Sequence, residues 1–151
     1  MVTMEQIRAI LDSDEPNYGQ AAGLGREALP LIESLIAGSD GMLASKAAYM
    51  AGVIGDSGSA AVLGRAARSP HILVRIAAAA SSRHLSGADA SGVLVGLLQD
   101  PDVGVRKVAL KSVPQDATPA LQQQIDHLSK TAPENFLRSL STEALGRIRT
   151  P

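Results

Sequence analysis

Apolar positions recur along this chain at helical spacing, and the whole block recurs 31 residues later. Leu31, Ile32, Leu35 and Ile36 form the apolar stripe of one predicted helix. Adding 31 gives Val62, Leu63, Ala66 and Ala67, and adding 31 again gives Val93, Leu94, Leu97 and Leu98. The segments that follow keep the register. Leu43, Val74 and Val105 form one column, Ala47, Ala78 and Ala109 another, and Ile54 is matched by Leu85. A fixed period of this length marks a repeated helical hairpin. Each unit reads as a helix A, a turn, a helix B and a second turn, with units at 26–55, 57–86 and 87–114.

The ends depart from this pattern. Residues 1–25 predict an N-terminal capping helix and linker: Thr3 and Gln6 have capping-box spacing, and Met4, Ile7, Ile10 and Leu11 share a face. The stretch 18–25 stays open between a short helix and a loop. Residues 117–151 predict a divergent C-terminal repeat that acts as a cap. Thr118-Pro119 opens a helix carrying Leu121, Ile125 and Leu128, and a last helix begins after 132–134, with Arg138 matching Arg106 at a shift of 32.

The B helices are entered through Ser39-Asp40, Ser69-Pro70 and Asp100-Pro101. There Asp or Ser is expected to cap free N–H groups, and Pro suits a first helical turn. Ala47, Ala48, Ala51, Ala77, Ala78 and Ser81 crowd the inner faces. Gly52, Gly64, Gly92 and Gly96 are expected to allow close approach too, at a helix cost of about 1 kcal/mol each relative to Ala. One unit of about 30 residues buries too little to fold alone, whereas stacked units share a core. The expectation is a single all-α domain, a right-handed α-solenoid of about four hairpins.

The pattern Val-Arg-x-x-Ala-Ala at Val74, Arg75, Ala78 and Ala79, its variant at Val105 and Arg106, the Asp100-Pro101-Asp102 turn and Ile54-Gly55-Asp56 together resemble HEAT repeats. They resemble most the short HEAT-like type of phycobilisome lyases, common in bacterial proteins. The resemblance covers 26–113; Ser82 and Arg83 stand where Leu and Gly are usual, and Pro114 shortens the third B helix. It implies a solenoid whose B helices line a concave binding side. Arrays of this kind serve as scaffolds, adaptors, lyase subunits and, in one branch, DNA-repair glycosylases.

On that register the outward columns are Ala44, Arg75, Arg106; Ser45, Ile76, Lys107; Lys46, Ala77, Val108; and Tyr49, Ala80, Lys111, with Arg83, His84 and Arg138 extending them. The candidate protein-binding residues are therefore Tyr49, Lys46, Arg75, Arg83, His84, Arg106, Lys107 and Lys111. They suggest a basic groove, anchored by Tyr49, for an acidic protein or peptide segment. Arg75 and Arg106 carry a second reading, as ties to turn aspartates of adjacent units.

Composition narrows the classes. The net charge is -1, so no bulk charge draws the chain to nucleic acid or membrane. Without Cys there is no disulfide or thiolate site, which suits a reducing cytoplasm. No Trp, one Phe and two Tyr leave little for an aromatic pocket or base-stacking platform. No stretch reaches the roughly 18 apolar residues of a membrane span, and no signal peptide is read. The excess of Arg over Lys, with abundant Ala, points to a GC-rich bacterial coding sequence.

His71, His84 and His127 lack carboxylates at helical spacing, and no metalloprotease, P-loop or nucleophile-elbow motif is present. The reading is a non-catalytic scaffold or adaptor with no cofactor and no metal. The alternatives are an accessory subunit of a lyase-type enzyme and weak, salt-sensitive nucleic-acid binding through the basic B helices. The last helix carries Phe136, Leu137, Leu140, Ala144, Leu145 and Ile148. It either folds back as a cap or pairs with a second copy in a homodimer.

Overall fold

Thr3 starts the first helix, α1 (Met4–Leu11). Its Oγ1 accepts from the Gln6 N–H at 3.2 Å, and Gln6 Oε1 accepts from the Thr3 N–H at 2.8 Å. This reciprocal box satisfies two N–H groups that a helix start leaves without partners. The computed structural model describes residues 1–149, and the predicted end of the last unit at 151 lies outside them. Among the described residues there are ten α-helices, two short 3-10 turns and no strand. The open stretch after α1 contains a short helix, α2 (Tyr18–Ala22), begun by Asn17.

Four helical hairpins follow. Helices A are α3 (Leu29–Ile36), α5 (Ser59–Ala66), α7 (Gly87–Leu97) and α9 (Pro119–Thr131). Helices B are α4 (Gly41–Ile54), α6 (Ile72–Ser81), α8 (Val103–Lys111) and α10 (Asn135–Arg147). The A helices form one layer and the B helices the other, each packed on its neighbour in sequence order. This is an α-solenoid. The buried side chains form one contiguous apolar cluster, running from Ile7 through Ile32, Leu63, Leu94 and Ile125 to Ile148. Fully burying a Leu or Ile side chain is worth about 1.5–3 kcal/mol, so each unit draws most of its stability from neighbours that seal its faces.

Local chemistry sets the boundaries. The helix A predicted at the start of the unit 26–55 is a 3-10 turn at Arg26–Ala28 followed by α3, because Pro30 lacks an N–H and belongs in a first helical turn. Asp40, Ser86, Asp102 and Thr118 cap α4, α7, α8 and α9 by accepting from the third residue onward. Asp100, expected as a cap for α8, accepts instead from the Asp102 N–H at 2.9 Å and faces Arg75. At α6, Ser69 Oγ accepts from the His71 N–H and His71 makes no side-chain cap.

Close approach is confined to one of the four expected glycines. A Cβ at Gly52 would lie 2.4 Å from Ser81 Cβ, so α4 and α6 touch there through backbone. Gly64, Gly92 and Gly96 face open space, and nothing in the structure explains them. The polar centre of the second unit is satisfied locally: Ser81 Oγ donates to Ala77 O at 2.8 Å and Ser82 Oγ to Ala79 O at 2.7 Å. There α6 tightens into a 3-10 turn, Ser82–His84. At the far end α10 folds back on α8 and α9 and buries Leu137, Ala144 and Ile148, while Phe136 stays exposed.

Candidate interaction face

The B-helix layer carries the candidate residues, and its cations fall into two groups. The first group is engaged inside the fold. Arg75 spans two turns: its Nε and Nη2 donate to the two carboxylate oxygens of Asp100 at 2.8 and 3.2 Å, and Nη1 donates to Ser69 O at 2.9 Å. The side chains are only 13% and 6% exposed. Arg106 makes a single contact with the next turn, Nη2 to Glu134 Oε1 at 3.1 Å. Arg106 Nε and Glu134 Oε2 are buried without partners. Arg138 in the same column bonds Pro133 O of its own turn. Lys46 Nζ donates to Leu11 O and Ser13 O, both at 3.1 Å, which satisfies carbonyls at the C-terminal end of α1.

The second group faces solvent. Lys107 and Lys111 on α8 are exposed and make no ion pair among the described residues. Arg83 is exposed and donates to Tyr49 Oη at 3.4 Å. The Tyr49 ring lies 4.8 Å from that of Tyr18 and meets the His84 ring edge-on at 6.0 Å. Partial desolvation and then the neighbouring Arg83 cation hold the His84 pKa below the ordinary histidine value. Desolvation, reinforced by Tyr49, raises that of Tyr18. The expected column Ala44, Arg75, Arg106 does not face outward at its first member, since Ala44 is fully buried, and Ala77 of the third column is buried as well. Arginine reaches the rim from that position only because its long stem runs along apolar surface.

The structure adds a feature that the charge-based reading passed over. Met42, Leu73 and Phe136 are 58, 49 and 46% exposed. They share one register column, at shifts of 31, 31 and 32, interrupted by Gly104. The signal was present in the repeat and needed only the addition applied to Met42. Beside Met42 and Leu73, a shallow cleft of about 330 Å³ is lined by Tyr18, Ser45, Lys46, Tyr49, Ile76, Ala77 and Ala80. The face is therefore largely apolar over α4 and α6, with Arg83 just past the end of α6, and cationic over α8. Not one Asp or Glu occurs within α4, α6 or α8.

A second cleft, of about 520 Å³, lies at the turn edge between the first two units, among Ile36, Gly38, Val62, Ser69 and Pro70. Glu33 and Arg65 pair beside it. His71 lines it, and His127 stands exposed on α9. Among the described residues no three His, Asp or Glu side chains are grouped to hold a metal, and no helix is long and apolar enough to cross a membrane.

The model for HEAT repeats matches residues 27–114, more than half of the 151-residue chain. No curated protein matches the chain. The matched span ends where the third hairpin ends, so it takes in the same three units that the 31-residue register and the Arg75–Asp100 tie define, and the chain belongs to the HEAT-repeat family.

Proposed function

We propose that the protein is a non-catalytic scaffold or adaptor that docks a segment of another protein on the concave face formed by its B helices. HEAT repeats are commonly protein-interaction scaffolds, and the family fold is typically non-catalytic. The observation that carries the reading is the exposed column Met42, Leu73 and Phe136, whose first two members line the Tyr49–Ile76 cleft. Large apolar side chains set in register along a repeat face are where such surfaces concentrate binding. Arg75, Arg106 and Lys46 hold the array together in this reading, while Tyr49, Arg83, His84, Lys107 and Lys111 border the docking surface.

The test is selection from a random peptide library displayed on phage, run against the wild-type chain and against Leu73→Glu. Binders that the wild type retains and the variant loses support docking on this face; equal retention by both defeats it. Nucleic-acid binding through α8 is the competing outcome. Duplex DNA held at 200 mM salt and released by Lys107→Glu/Lys111→Glu would replace the peptide reading, since weak phosphate contacts alone are lost at about that ionic strength.

A further inference from the structure

We infer that the docking face reads a two-part extended segment, in which an apolar anchor sits against α4 and α6 and carboxylates lie over Lys107 and Lys111 of α8. The inference rests on the scaffold reading above and specifies the chemistry of its partner. Ile76 and Ala80, which line the apolar cleft, stand one register step before Lys107 and Lys111. The anchor site and the cations are thus on adjacent packed helices, whose axes lie about 8–10 Å apart. An extended chain covers that distance in about three residues, at roughly 3.3 Å each.

Charge complementarity fixes the sign. The two lysines are exposed and unpaired among the described residues, and the three B helices under the segment carry no carboxylate. Glu143, one step beyond Lys111 at a shift of 32, is exposed on α10. It repels an acidic run that continues beyond α8 toward α10. A basic or neutral second half would leave both ammonium groups unanswered and gain nothing from this half of the face.

The peptide selection also tests this, through the composition of what is selected and through a charge-reversed protein. Wild-type binders should carry an apolar residue with Asp or Glu about three positions away. Against Lys107→Glu/Lys111→Glu those peptides should weaken roughly tenfold, and synthetic copies with Lys in place of the acids should recover the loss. Leu73→Glu should lose both kinds of peptide, and Met42→Glu repeats that arm if Leu73→Glu melts early. Binders that depend on Leu73 yet show no acidic preference and ignore the lysine reversal overturn the inference and leave the scaffold reading standing. Binders indifferent to Leu73 and Met42, or a library that yields none, overturn both.

Discussion

The first two joints of the array occupy the same register and are fastened by different forces. Between α6 and α8, Arg75 grips Ser69 O on its own turn and both oxygens of Asp100 on the next. Between α4 and α6 the equivalent positions are Ala44, Gly38 and Ser69, so guanidinium and carboxylate are both missing. At the B helices that joint relies on contact: Gly52 admits Ser81, and Ala47, Ala48 and Ala51 let the helices close up, while the exposed Glu33–Arg65 pair joins the A helices. The turn-edge cleft of about 520 Å³, lined by Gly38 and Ser69, lies where the second joint holds its ion pair. A repeat thus conserves the geometry of stacking while the chemistry of each seam varies. The third joint, after a one-residue shift, has the single-contact Arg106–Glu134 ion pair, with side chains 21% and 30% exposed, and Arg147 Nη2 donates from α10 to Leu110 O of α8 at 2.9 Å.

The sharpest way to break the contrast is Arg75→Ala. It leaves the buried Asp100 without its guanidinium partner, held only by the Asp102 N–H, and urea unfolding should show a loss of about 3 kcal/mol. A loss below about 1 kcal/mol would mean the second joint is held by packing like the first. Gly52→Ala attacks the first joint instead. The new methyl would lie 2.7 Å from Ser81 O as well as against its side chain. Overpacking of this kind costs about 1–3 kcal/mol, read from the same unfolding midpoint.

Transplanting the tie sharpens the comparison. Ala44→Arg and Ser69→Asp together should be more stable than the two single changes sum to, with a coupling of about 1 kcal/mol in a double-mutant cycle. Additive behaviour would show that the first seam cannot accept the second seam's chemistry. Arg106→Ala should cost about 0.5–1 kcal/mol by the same measure, well under Arg75→Ala, because its pair is end-on and partly solvated.

The smallest effect lies on the exposed rim of the first joint. Asp56 accepts from the Gly58 N–H at 2.9 Å and from Arg26 Nε at 2.8 Å, and these contacts, the backbone one first, hold its pKa below the ordinary carboxylate value. A depressed folded-state pKa gives stability above the unfolded-state value that is lost as pH falls through the folded one. Asp56→Asn should therefore melt slightly below wild type at neutral pH and converge with it in acid. A gap that persists in acid would assign the effect to hydrogen-bond geometry rather than charge.

What the chain declares about itself follows the range of the interactions. Helices, most caps and the stacking columns were legible because they depend on residues three, four or 31 apart. The split of cations between seam and surface was not, because it depends on partners in other units: Asp100 for Arg75, Glu134 for Arg106, and the Leu11 and Ser13 carbonyls for Lys46. Glycines were over-read for a related reason. Gly52 and Gly64 look alike along the chain, and only the neighbouring helix distinguishes the one that meets Ser81 from the one that meets solvent. The exposed apolar column at Met42, Leu73 and Phe136 follows the 31-residue register and is legible there, although the charged positions give no sign of it.

The Lys46 tether gives the molecule a built-in chemical clock. An amine reacts with an acylating reagent only when the reagent can reach it, and the Lys46 amine is tied by hydrogen bonds to two backbone carbonyls. Lys107 and Lys111 are under no such restraint. Under brief labelling the two α8 amines should be modified faster than the half-buried Lys46. A Lys46 rate that rises when α1 is destabilised reports the opening of the N-terminal cap, without a probe attached to it.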